Sequence, residues 1–366
     1  MTSALQLPAE LWLHVFSFLP WKDKLSVRCT CSHFKHLLDK SHPLWRGFGV
    51  VLRHFSKYNH RFWRSLAQRH VRSVLVRSGK RKHLKQLSTW LPALDTLRMD
   101  GWKESGMNEL KHFQRLQNLS ITHCSTPLKN LDFLFPLNRQ LTQLSLCNVQ
   151  LTCSASHFLA AVCQLTHLTS LLVHHDGSLR VPTLSGVLTH LTKLKHLSWT
   201  MITYRMLSHD FFSPAHLSGG HPLSAYVEFL PSSLLNLTLC VDLQPEDLQL
   251  VSLRAPHLEH LHLEPWSSSS NLIRLLPQLF PHLKTLRIRH RQVSDSDFLQ
   301  LQQLQHLDTL EVLDPYYKPD PKDPSLVINE PSPHLLQLIS DLQKLTDYRV
   351  HVITNSHRDP IICNCV

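Results

Sequence analysis

Read as apolar and polar positions, most of the chain repeats one short phrase, LxxLxL, with aliphatic residues in the first, fourth and sixth places. It begins weakly at Val71/Val74/Val76 and recurs at Leu94/Leu97/Met99, Leu116/Leu119/Ile121, Leu141/Leu144/Leu146, Leu168/Leu171/Val173 and Leu194/Leu197/Trp199. Further copies fall at Leu234/Leu237/Leu239, Leu258/Leu261/Leu263, Leu283/Leu286/Ile288 and Leu307/Leu310/Val312, and Leu345/Tyr348/Val350 closes the series. Successive starts lie 23, 22, 25, 27, 26, 40, 24, 25, 24 and 38 residues apart. Within a copy, the fourth and sixth residues point to one face of a strand and the fifth to the other. One such strand cannot bury its own apolar row, so the copies must stack side by side around a continuous core. Helical or irregular segments return each strand to the start of the next, and Leu184–Leu194 has the helical spacing for this role.

The period is that of leucine-rich repeats. The pattern therefore predicts an α/β fold: a solenoid of about eleven repeats over 71–352, with a parallel strand row on its concave face. Only Cys124 fills the Asn/Cys ladder position in the usual way, so the repeat subtype stays open. The two long intervals hold insertions near 208–223 and 314–333; the second carries six prolines and reads as a loop. Outward-facing strand residues are the candidate target-binding surface. Early repeats offer Arg77, Arg98, Asp100 and Asn118, and middle repeats Ser145, His174, His196 and Ser198. The densest polar set comes later, and the expected target-binding cluster is His174, His196, His260, His262, Glu264, Arg287, Arg289 and Glu311. Its cations and imidazoles suit an acidic or phosphorylated segment through charge-assisted hydrogen bonds.

The amino terminus follows a different pattern. From Leu11 to Leu19 only His14 and Ser17 are polar, so the helix that Pro8 and Glu10 signal is apolar nearly all round. Asp23 and Ser32 are candidate caps for two further short helices carrying Leu25, Phe34, Leu37 and Leu38, and Trp45 follows. A unit of about forty residues has more apolar surface than it can hide. Either another protein covers the excess, or these helices serve only as a cap on the first repeat.

Composition narrows the function. The net charge of +11 is local: eleven Lys/Arg and no acid lie between Arg53 and Lys85, which predicts a basic helical connection over 49–70 running into the first repeat. Phe55, Tyr58, Phe62 and Trp63 are interleaved with these cations, so nucleic acid is the rival partner, while a solvated connection is the plainer reading. No apolar run is long enough to span a membrane, and no basic region precedes the first apolar stretch as in a secretory signal. Nine cysteines in that setting suggest reduced thiols in the cytoplasm or nucleus. The sequence holds no GxGxxG, Walker A loop, GxSxG or HExxH, so no cofactor, metal or catalytic residue is expected. The 353–366 tail ends in Cys363-Asn-Cys-Val, a weak prenylation outline.

The stretch LPxELxxxVFSFLPxxDxL…C…F…L…LWR, residues 7–46, resembles the F-box motif. The resemblance implies a short three-helix F-box over 1–48, docking on the Skp adaptor of Skp–cullin–F-box ubiquitin ligases. The docking residues it carries over are Leu7, Pro8, Leu11, Val15, Phe16, Leu19, Pro20, Leu25, Cys31 and Trp45. Two positions depart from the family: Thr30 stands where a valine is usual and Phe34 where a tryptophan is usual. An F-box followed by leucine-rich repeats implies a non-catalytic substrate adaptor, linked through the Skp adaptor to cullin and RING subunits, with nucleic acid and membrane not expected as partners.

Overall fold

The computed structural model describes residues 7–45, 47–104, 106–175, 182–201, 227–240, 245–263, 272–288, 293–312, 317–319, 327–329 and 331–354. Three short helices open the chain: α1 (Ala9–Ser17), α2 (Trp21–Arg28) and α3 (Ser32–Lys40), followed by a 3-10 turn at His42–Trp45. Pro8 and Pro20 sit one residue ahead of α1 and α2, so Asp23 lies inside a first turn rather than at a cap. The cap of α3 is Cys31, not Ser32: its extended backbone lets Sγ accept from the Phe34 N–H at 3.4 Å.

Among the described residues, twelve parallel strands then form one sheet in strict chain order. They are β1 (Gly49–Leu52), β2 (Ser73–Arg77), β3 (Thr96–Asp100), β4 (Asn118–Thr122), β5 (Gln143–Val149) and β6 (Ser170–His175). Next come β7 (His196–Met201), β8 (Asn236–Cys240), β9 (His260–Leu263), β10 (Thr285–Ile288) and β11 (Thr309–Val312). After the short pair β12 (Tyr317–Pro319) and β13 (Val327–Asn329), β14 (His351–Thr354) completes the sheet beside β11. The register aligns the fourth position of every internal repeat: Val74, Leu97, Leu119, Leu144, Leu171, Leu197, Leu237, Leu261, Leu286 and Leu310 form one row. None of the ten is more than 2% exposed, and each such burial contributes about 1.5–3 kcal/mol. Helices such as α4 (His60–Gln68), α5 (Arg81–Trp90), α6 (Ala155–Val162) and α7 (Pro182–His190), or 3-10 turns, return the chain between strands.

Three features differ from the sequence reading. The basic connection is not wholly helical: β1 pairs with β2, Gly49 opposite Ser73, so the sheet starts one strand early. The closing repeat is displaced, because Val352, not Tyr348, pairs with Leu310. Asp347 and Tyr348 turn the chain with φ of 49° and 57°, leaving Leu345 and Tyr348 52% and 71% exposed. Arg349 occupies the leucine place instead, and its guanidinium satisfies the Leu307 and Leu304 carbonyls, the latter at 3.1 Å. Lastly, the insertion 314–333 contains an antiparallel pair, β12 with β13, rather than loop alone; the 208–223 insertion lies outside the described residues.

The amino-terminal helices are fastened to the first repeat by a compact polar cluster. Arg28 grips Asp39 through two hydrogen bonds of 2.7 and 2.8 Å and reaches the Ser65 hydroxyl at 3.1 Å. Arg69 lies 3.6 Å from the same carboxylate, bonds the Ser65 carbonyl and hydroxyl, and stacks over Trp45 at 5.0 Å. The hydrogen bond to Asp39 raises the Arg28 pKa, whereas burial lowers that of Arg69. The Trp45 indole donates to the Leu38 carbonyl at 2.7 Å and is 3% exposed.

Candidate protein-docking surfaces

Helix α1 has two apolar faces with different fates. The inner face carries Trp12 and Phe16, one turn apart, their rings 5.6 Å from each other. Phe34 of α3 closes this cluster edge-on, 4.7 Å from Trp12 and 5.3 Å from Phe16. The smaller ring at position 34 thus packs inside the helical unit. On the outer face Leu7, Leu11, Val15 and Phe18 follow helical spacing and are 46%, 50%, 47% and 76% exposed. Trp21, at the start of α2, extends the patch with 51% exposure.

The residues carried over from the motif therefore divide. Leu7, Pro8, Leu11, Val15 and Pro20 are exposed, and Leu19, Leu25 and Cys31 are half-buried. Phe16 and Trp45 are 2% and 3% exposed, which corrects their reading as docking residues: they hold the helices together and cover the end of the repeats. Phe18 and Trp21 were not among the expected docking residues although both face solvent. The 7–11–15–18 spacing was the signal for Phe18.

The target-binding cluster expected in the later repeats is only partly assembled. Glu264 and Arg289 lie outside the described residues. Arg287 and Glu311 are register partners on β10 and β11 and form an ion pair with each other, so this cation is already neutralised. His174 is buried with Nε2 2.7 Å from the Ser198 hydroxyl. His196 and His260 lie on one row with Asn236 between them, and burial lowers the His196 pKa, an effect that Asn236 opposes by hydrogen bonding. His260 is 4.0 Å from Glu259, which Lys284 holds at 2.8 Å. His262 is directed to the same strand face by alternation. The arrangement is a largely self-satisfied polar strip.

Around Arg53–Lys85 the aromatics pack rather than present stacking faces: Phe55 and Trp63 are buried, and Tyr58 stacks on Phe62 at 4.4 Å. Arg81 pairs with Glu109 at 2.6 Å and Arg77 lies 3.8 Å from Asp100. His83 accepts the Lys80 N–H at 3.2 Å and stacks on Phe55 at 4.0 Å; burial lowers its pKa. Burial also pushes the Cys124 and Cys147 thiols up to about 12, so neither is a reactive nucleophile. Among the described residues no helix is long and apolar enough to cross a membrane, and no three potential metal ligands cluster.

Residues 4–49 match the family model described as F-box-like. Among solved structures, the chain is similar to the leucine-rich-repeat-containing protein LegL7 from Legionella pneumophila, at 14% identity and a TM-score of 0.43, covering 82% of this chain and 98% of that one. It is also similar to an internalin (inlF) from Listeria monocytogenes, at 10% identity and a TM-score of 0.33, covering 81% and 83% of the two chains. No curated protein matches the chain. Fold and match together define the class: an F-box-like domain followed by a leucine-rich-repeat array, a mixed α/β solenoid.

Proposed function

We propose that this protein is the substrate-recognition subunit of a Skp–cullin–F-box ubiquitin ligase. The observation that carries the reading is the outer face of α1. Leu7, Leu11, Val15, Phe18 and Trp21 stay about half exposed or more while the inner face of the same helix is packed. Completing the burial of each against a partner is worth about 1 kcal/mol. In the F-box-like domain that matches residues 4–49, the fitting partner is the Skp adaptor, and through it the cullin and RING subunits. The repeats would hold the target near the ubiquitin-charged enzyme, supplying effective concentration and orientation instead of chemistry.

Affinity purification of the full chain from cells tests this. Co-purification of Skp adaptor and cullin, with ubiquitinated target accumulating when proteasomal degradation is blocked, supports the reading. Recovery of the chain without the adaptor, or bound instead to nucleic acid with steep salt dependence, overturns it.

A further inference from the structure

The helical side of the first repeat carries a basic ridge built from two neighbouring pieces of chain. The segment 53–60 folds along α5. The Arg53 N–H donates to the Tyr58 hydroxyl at 3.2 Å, Phe55 stacks on His83 near the start of α5, and His60 meets Trp90 at its end, rings 4.7 Å apart. Helix α4 then buries Trp63 and Leu66, which turns Arg61 and Arg64 outward. Helix α5 buries Leu84 and Leu87, which turns Lys82 and Lys85 outward in the same way.

Arg53, Lys57, Arg61, Arg64, Lys82 and Lys85 are all exposed, and among the described residues none of the six has an ion-pair partner. The cations that hold the fold together are paired instead: Arg28 and Arg69 share Asp39, and Arg81 holds Glu109. No Asp or Glu occurs from Arg53 to Lys85, so the six repel one another without relief from within the segment. Their field reaches inward as well. Burial lowers the His83 pKa, and Lys82 and Lys80 lower it further.

We propose that this ridge docks an acidic polypeptide segment of a second protein, on the helical side of the repeats and away from the strand face. The inference uses neither the adaptor surface nor the target-holding face. Alternate residues of an extended peptide lie about 7 Å apart, and cations one helical turn apart about 5–6 Å, so a run of Asp/Glu can pair with the ridge along its length. The arginine forks among the six take carboxylates through two parallel hydrogen bonds. Other polyanions fit less well. Phe55 and Trp63 are buried and Tyr58 stacks on Phe62, which leaves no ring face for bases to stack on. No large apolar side chain between Leu52 and Trp90 is exposed, so nothing anchors the ridge in lipid. At the start of α5 the ridge ends against Glu104, which accepts the Arg81 N–H at 2.7 Å, and Glu109. Those carboxylates repel the phosphates of a rigid duplex running past them, whereas a flexible peptide turns away.

Fluorescence anisotropy of a labelled oligoglutamate peptide, titrated with the full chain at physiological ionic strength, tests the proposal. The peptide should bind, with affinity falling as salt rises, and an oligoglutamine peptide should not. Arg61→Glu with Arg64→Glu, and Lys82→Glu with Lys85→Glu, should each weaken binding about tenfold, whereas Arg98→Glu on the strand face should leave it unchanged. The same pairs changed to Gln should give a smaller loss with unaltered thermal midpoints, which separates lost charge from lost fold. Absent oligoglutamate binding, binding indifferent to both pairs, tighter binding of a DNA duplex of equal charge, or sedimentation of the chain with phosphatidylserine vesicles would each overturn the proposal. Adaptor co-purification is unaffected by these variants, so failure here is distinguishable from failure of the ligase reading.

Discussion

The two ends of the repeat array face the same problem and differ in how far their described residues cover it. Each terminal strand exposes an apolar row that must be covered. At the carboxy end Leu335, Leu338, Ile339 and Leu342 of helix Pro333–Leu345 pack down and Arg349 satisfies two carbonyls, while in the last strand Val352 is half-buried and Ile353 is 39% exposed. At the amino end Trp45, Phe48, Leu52, Phe55 and Trp63 do the covering, all at most 9% exposed. Yet a second apolar surface remains beyond them, on the outer face of α1. Leu11, Val15 and Phe18 are not needed to close the array, because residues 45–63 already close it. The amino end thus carries apolar surface beyond what closes the array.

The largest expected effect breaks the amino-terminal cover. Trp45→Ala removes a buried ring and its hydrogen bond to Leu38, and should cost about 4 kcal/mol, read from chemical denaturation. Leu11→Glu with Val15→Glu breaks the other half of the contrast. These should weaken adaptor capture about 100-fold in a titration while shifting stability by less than about 1 kcal/mol. At the carboxy end, Tyr348→Gly relieves a left-handed tyrosine that is 71% exposed, and should raise stability by up to about 1 kcal/mol. The smallest effect is electrostatic. Burial lowers the His83 pKa, so below about pH 6.5 the unfolded chain binds a proton that the folded chain resists, and stability falls as pH drops. His83→Gln, which keeps a capping acceptor, should flatten that part of the melting-temperature profile between pH 7.5 and 5.5.

The internal repeats were legible because their alternation is local and their register is enforced by one shared row of leucines. The first strand is hidden in the sequence because Gly47, one repeat ahead of Val71 in register, stands where the phrase expects an aliphatic residue. The last lies elsewhere because Leu345 and Tyr348 fit the phrase by composition while belonging to a helix end and its turn. For α1 the sequence showed that both faces are apolar but not which turns inward; that depends on Phe34, more than a dozen residues away. Arg98 was visible as an outward strand residue. His42 precedes the repeats, and it meets His70 where the polar cluster of Arg28, Asp39 and Arg69 joins the F-box-like domain to the first repeat.

Hydrogen exchange of the full chain, with and without purified Skp adaptor, tests the docking of α1 most directly. Slowed exchange confined to residues 7–28, with the repeats unchanged, is the expected result. Adaptor binding that leaves 7–28 unprotected, or protects the strand face instead, would contradict the assignment of Leu7, Leu11, Val15, Phe18 and Trp21 as the docking surface.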